Sequence, residues 1–201
     1  MRRIAMGMTA GLGVALAVAA QAADTWAVDT GHSEVSFRVR HFVSQVSGRF
    51  NTFEGTIQVD HDNPAASDVS FNIKADSIDT GNEQRDGHLR SPDFFDVEKY
   101  PEITFQSSKV EAKGDDLYDV TGVFTLHGVT KELTLPVRYL GSLTDNRGNT
   151  KAGFETEVTI DRQEYGITFN RALDQGGVML GDDVRVRISL EVGPPPEPRA
   201  N

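Results

Sequence analysis

Three side chains able to bind an anion, take a proton or pass one on crowd a single short stretch: Arg85, Asp86 and His88. In an enzyme His88 would serve as general base, Asp86 would orient it and Arg85 would hold an anion. The spacing argues against that arrangement, because residues two apart on a helix do not share a face. No GxSxG elbow supplies a nucleophile and no HExxH pair is present to hold zinc. The chain has no cysteine, which excludes thiol catalysis, iron–sulfur clusters and cysteine zinc sites. The glycines from Gly176 to Gly181 lack the Lys-Ser/Thr ending of a phosphate loop. The remaining histidines are His32, His41, His61 and His127, none paired at helical metal spacing. His61 falls in the polar turn Asp60-His61-Asp62-Asn63-Pro64 and His127 precedes Gly128 in a tight connection. The expectation is no catalytic residue, no metal and no cofactor, with Arg85, Asp86 and His88 pinning a short helix in place.

That helix must lie in the stretch from Asp79 to Pro101, which shows no alternation. Thr80 followed by Glu83 fits a capping box opening a helix through Leu89, weakened by Gly87. Ser91-Pro92 predicts one further helical turn carrying Phe94 and Phe95. A long connection of this kind in a β domain is usually functional or a lid. Elsewhere period-2 alternation dominates. Val35, Phe37 and Val39 share one face, as do Val69, Phe71, Ile73 and Ala75. The same holds for Val120, Gly122, Phe124 and Leu126, then for Leu133, Leu135, Val137 and Tyr139. Phe154, Thr156, Val158 and Ile160 follow, and last Val184 to Val192 at every second position. Such strands form an antiparallel sheet with one side buried. Links at Lys113–Asp116, His127-Gly128 and Asp145–Asn149 read as hairpin turns. The pattern allows a sandwich or a barrel.

The chain carries 11 Phe against 1 Trp and 4 Tyr. Strand parity turns Phe37, Phe53, Phe71, Phe105, Phe124 and Phe154 inward. In a sandwich these rings are ordinary core. In a small barrel they could line a space for one ligand. The polar faces are consistently polar, which leaves no surface for a second layer and favours the barrel.

The chain opens with Arg2-Arg3, an apolar run from Ile4 to Ala20 and the exit Ala20-Gln21-Ala22, the order of a secretory signal peptide over residues 1–22. Formal charge is −10, from 20 Lys+Arg against 30 Asp+Glu, and −12 once Arg2 and Arg3 are removed. An acidic surface repels nucleic acid and anionic headgroups over its breadth. Residues 193–201, rich in proline, read as an extended tail beyond a single domain spanning 23–192.

Several stretches together resemble one family: Asp29-Thr30-Gly31-His32-Ser33, "GRFNTFEGTIQVD" from Gly48, "NEQRDGHLRSPDFFDVEKYPEITF" from Asn82, "GVFTLHGVTKELTLPV" from Gly122 and "DRQEYGI" from Asp161. The chain resembles the YceI-like, polyisoprenoid-binding family. The resemblance implies an extended lipocalin-like antiparallel β-barrel of about eight strands with a short helical insertion. It also implies export to the periplasm and a tunnel for an isoprenoid quinone, its precursor or another long-chain lipid. The expected tunnel lining is Phe37, Val39, Phe53, Phe71, Ile73, Leu89, Phe94, Phe95, Phe105, Phe124, Leu126, Leu135, Phe154 and Ile160. His32, Arg85, Asp86, His88 and Tyr165 are the expected polar mouth. Transient contact with a membrane or its redox proteins is a further expectation, and the oligomeric state is left open, a dimer included. The competing reading is a small periplasmic enzyme acting on an isoprenoid or amide with Asp86 and His88 in its site.

Overall fold

The hairpin turns fix the architecture. At the predicted connection His127 and Gly128 both have positive φ (51° and 73°), the geometry of a two-residue turn that matches strand twist. Asp115 and Asp116 (50° and 61°) make a second turn of this kind. The computed structural model describes residues 24–59, 66–171 and 179–195. The expected signal segment, the His61 turn, most of the proline-rich tail and the Gly176–Gly177 pair lie outside the described residues.

Eleven strands run β1 (Asp24–Val28), β2 (Glu34–His41), β3 (Ser44–Phe50), β4 (Phe53–Val59), β5 (Asp68–Lys74), β6 (Ile78–Asp79), β7 (Glu102–Gly114), β8 (Leu117–Leu126), β9 (Val129–Thr144), β10 (Thr150–Asp161) and β11 (Leu180–Gly193). Among the described residues one α-helix, α1 (Glu83–Arg90), lies between β6 and β7. All pairings are antiparallel, and β1 and β2 both lie along β11, at Val28↔Val192 and Arg38↔Arg185. They are two segments of one kinked strand. The same is true of β3 with β4 and of β5 with β6, because β2 pairs β3, β1 pairs β4, β4 pairs β5 and β3 pairs β6. The wall is therefore an eight-position meander closed by β11 on β1 and β2. Closure on itself, which pairing partners settle and alternation does not, makes this a barrel and not a sandwich.

The wall opens between β9 and β10. The β9–β10 ladder ends at Val137↔Thr156, and the next residue of β9 is Pro136, which has no N–H to donate. The 3₁₀ turn Arg162–Tyr165 and the segment after it lie beyond this break, with Tyr165 and Ile167 buried. Arg162 is itself buried; its guanidinium donates to the carbonyls of Gly181 (3.0 Å), Ile167 (2.6 Å) and Phe169 (2.9 Å) and to Asp182 (2.9 Å). A buried cation is tolerated there because each of its three nitrogens finds an oxygen and one of those oxygens is a carboxylate.

Two local expectations are corrected. Asn82, not Thr80, caps α1, its side chain accepting from Arg85 N at 3.0 Å. Thr80 is instead taken up by Asp86, which accepts from its backbone N–H (2.9 Å) and its hydroxyl. The stretch after Ser91 is a set of turns rather than a further helical turn, with Phe94 N donating to Ser91 O (3.0 Å) and Phe95 N to Leu89 O (3.0 Å).

Candidate functional site

Inward-facing side chains do not fill the barrel. Under α1 lies a cavity of about 650 Å³, and towards the other end lies a second of about 200 Å³; Phe71, Phe105, Leu135 and Ile188 line both. Close-packed interiors leave few voids larger than a water molecule, so spaces of this size need a structural cause.

Glycines in the wall supply one. Gly48 lies opposite Phe37 and Gly55 opposite Phe71. A Cβ at Gly48 would fall 2.4 Å from Phe37 Cζ, one at Gly55 2.5 Å from Phe71 Cδ2 and one at Gly122 2.7 Å from Phe105 Cζ. Three rings thus lie over glycine backbone along the wall instead of standing into the bore. A phenylalanine that faces inward but lies flat lines a tunnel; one that stands up fills a core.

The large cavity is roofed by the connection from β6 to β7. Arg90 of α1 donates to the carbonyls of Asp76 (2.7 Å) and Ile78 (2.9 Å). Arg85 donates through Nε to Thr80 Oγ1 (2.7 Å) and through Nη2 to Thr80 O (2.8 Å). Phe95 packs edge-on against Phe50, with ring centroids 5.8 Å apart. Tyr100 lies against His127 (4.7 Å), over Gly128, where a Cβ would meet the ring at 2.4 Å. Arginine fork geometry and ring contacts therefore tie the roof to both neighbouring walls.

Of the expected tunnel lining, Phe37, Val39, Phe71, Ile73, Leu89, Phe94, Phe95, Phe105, Phe124, Leu126, Leu135 and Ile160 border the large cavity. Phe154 borders the small one. Phe53 borders neither; it is buried and stacked on Phe71, centroids 5.9 Å apart. Phe50, Val46 and Phe169 border the large cavity without having been singled out. Phe50 was recoverable from the spacing Val46, Gly48, Phe50, whereas Phe169 sits in irregular chain with no periodic signal.

The polar residues separate into four groups. Arg85 and His88 border the large cavity, together with Asn82, Gln84 and Arg171. Asp86 does not border it: it is buried under the helix and spent on Thr80. His88 is instead paired to Asp93, Nε2 to Oδ2 2.8 Å, with edge contacts to Phe94 and Phe169 at 5.0 Å each. The Asp86–His88 dyad that the competing enzyme reading requires is not formed: Asp86 turns to Thr80 and His88 to Asp93. Tyr165 is buried away from the cavity against Phe124 (5.5 Å) with Lys131 over its ring (5.3 Å), and burial pushes its phenol up. His32 lies near the far end of β11, 3.0 Å from Asp29 and 3.9 Å from Glu191. Lys151 already supplies the cation there, 2.9 Å from Asp29, and with His32 it lowers the Asp29 carboxyl from 3.8 to about 2.

The sequence profile of the YceI-like domain matches residues 26–192. The chain belongs to the YceI-like family. A UPF0312 protein of Pectobacterium atrosepticum is 44% identical over 138 residues, 68% of this chain and 71% of its own. Burkholderia cenocepacia BcnA has the same fold with a TM-score of 0.73 at 24% identity, over 82% of this chain and 98% of that one. A polyisoprenoid binding domain from Saccharophagus degradans, implicated in plant cell wall breakdown, aligns with a TM-score of 0.63 at 20% identity, over 87% of this chain and all of that one. Within the YceI-like family's barrel, the rings over Gly48, Gly55 and Gly122 keep this chain's bore open.

Proposed function

We propose that this protein holds a long-chain polyisoprenoid, an isoprenoid quinone or its precursor, or a similar amphiphile inside the barrel, in the periplasm, for transport, storage or sequestration. The observation that carries the reading is the apolar cavity of about 650 Å³ with its polar lining gathered beside α1. Pockets of roughly 300–1,000 Å³, apolar with a few convergent polar groups, are the usual form of a small-molecule site. At the ~30 Å³ that a water-sized group occupies, the space accepts on the order of twenty carbon atoms, or about four isoprene units. The smaller cavity beyond Phe71 and Phe105 lies in line for a longer tail. Each buried methylene contributes roughly 0.8 kcal/mol before ordering costs.

The polar lining suggests the headgroup. Arg85 and Arg171 border the cavity, as does Arg162, which Asp182 and three carbonyls already hold, and no described aspartate or glutamate borders it. In a chain of net charge −10 that local excess favours a group presenting acceptor oxygens, such as a quinone carbonyl. The polyisoprenoid-binding name of one structural neighbour agrees with the apolar part. The test is mass spectrometry of an organic extract of the purified protein, followed by thermal melts of delipidated protein with prenyl quinones, fatty acids and fatty amides. A co-purifying lipid and a raised melting temperature are expected. No shift with any of these ligands sinks the reading.

A further inference from the structure

The two residues joining β2 to β3 are Phe42 and Val43, 42% and 100% exposed. A two-residue hairpin turn with positive φ at its first position is best made by Gly followed by a polar residue. Phe42 holds φ 52° there, in a region that bulky side chains rarely adopt. Phe42 is strained and part-exposed and Val43 is fully exposed, so burial in the fold does not explain why both are apolar. An apolar tip kept against the local preference points to a partner outside the chain.

Its position names the partner. His41, the last residue of β2, borders the large cavity and touches the Phe42 ring edge-on (4.8 Å). Phe42 N donates to Met179 O (2.8 Å), and Met179 borders the same cavity. The tip is therefore part of the cavity's rim. Exposed basic groups flank it: Arg38 and Arg40 on β2, and Arg171 on the cavity's polar side. Arg40 Nε donates to Phe42 O (3.0 Å), which fixes a cation at the base of the tip. Of the carboxylates on the adjoining β11, Asp182 is held by Arg162 and Asp183 is exposed. The basic excess is modest, so apolar insertion carries more of the contact than charge does.

We propose that the Phe42-Val43 tip inserts into an anionic lipid surface and holds the mouth of the cavity against it, so that a lipid passes between membrane and barrel without crossing water. This rests on the lipid-holding reading for its purpose, but the docking can be measured without it. An apolar tip with a cationic collar is the arrangement by which peripheral proteins engage anionic bilayers.

The test is co-sedimentation of the full-length mature protein with phosphatidylcholine vesicles, with and without phosphatidylglycerol. It compares wild type with Phe42→Gly/Val43→Ser and with Arg40→Gln. The double variant installs residues the turn prefers, so it should melt no lower than wild type, and any loss is not unfolding. Wild type should sediment with the anionic vesicles and less with neutral ones. The double variant should lose about tenfold or more of its partitioning, and Arg40→Gln a few-fold. Uptake of a fluorescent prenyl lipid from the vesicles should slow in parallel, while uptake of the same probe from detergent solution should not change. Equal sedimentation of wild type and double variant overturns the proposal and leaves the cavity reading intact. Tip-dependent sedimentation without probe uptake from either source upholds the docking and removes the lipid-holding reading instead.

Discussion

The two ends of the barrel are made from the same alternating strands and packed differently. Around Trp26, the side chains of Ile57, Ala152 and Val192 meet in a buried cluster, and only about 200 Å³ stays open. Under α1 the wall offers Phe37, Phe71 and Phe105 lying over glycines, and about 650 Å³ stays open. The same alternation gives a plug in one place and a chamber in the other. What differs is the neighbour: Phe37 and Phe71 stand across from Gly48 and Gly55 and Phe105 lies over Gly122, whereas Trp26 stands across from Ile57. Small residues in a barrel wall act here as space-making elements, because they let large rings lie down.

The comparison breaks most directly through stability. Trp26→Ala should cost about 3–5 kcal/mol, the range for truncating a packed aromatic. Phe124→Ala, which already borders open space, should cost nearer ~2 kcal/mol and yet weaken lipid retention more. Urea titrations of both variants check the order, and a reversed order would mean the large cavity is packed in solution. Next in size is ligand stabilisation: at a hundredfold excess over Kd, a lipid bound only to the folded state adds about 2.7 kcal/mol. That gain should appear in wild-type melts and shrink in Phe124→Ala.

Gly55→Ala sharpens the distinction between the chambers. The added Cβ meets the Phe71 ring at 2.5 Å and Ser70 O at 3.0 Å, so the ring must turn into the bore between them. Overpacking of this kind costs typically ~1–3 kcal/mol. Long-chain ligands should lose affinity while short ones keep theirs, as read by titration with a chain-length series. Under the roof, Asp86→Ala leaves the Thr80 N–H unpaired and should cost about 1–3 kcal/mol. His88→Ala breaks a pair in which both side chains are about half exposed, and should cost under ~1 kcal/mol. A hydrolase or isomerase activity lost in both variants would instead favour the enzyme reading.

The smallest effect belongs to the far end. Asp29 has a folded pKa of about 2 against 3.8, lowered first by Lys151 and then by His32. A depressed carboxylate contributes stability that is present above 3.8 and lost as pH falls through about 2. The gap in melting temperature between wild type and Asp29→Asn should therefore hold above pH 4, close below it, and narrow in high salt. A gap that widens on acidification contradicts the assignment.

Much of this was legible without coordinates. Alternation located β2, β5, β8, β9, β10 and β11, and Gly114 and Gly128 marked two of the turns. The signal failed where the wall itself is irregular. β3 carries Gly48 on its inner face, and β7 turns the buried, polar Ser107 inward next to a register shift, so neither reads as apolar alternation. The roof was located by its lack of period, but its cap was misplaced by two residues because Thr80 and Asn82 can both cap and only tertiary contacts choose.

The sequence by itself determined an antiparallel β protein with an aromatic-rich inner face, one long insertion and neither a GxSxG nor an HExxH motif. These are properties of residue type and period, which local chemistry writes directly. Only the tertiary structure decided that β11 closes on β1 and β2, that His32 stands at the far end while His88 faces the cavity, and that Asp93 rather than Asp86 meets His88. It also decided that the rings lie flat over Gly48, Gly55 and Gly122. Each depends on which residue stands across the sheet from which, and that register joins positions far apart in the chain, as Phe37 is joined to Val186. Strand period sets which face a side chain takes; the partner opposite sets whether that face encloses a core or a cavity.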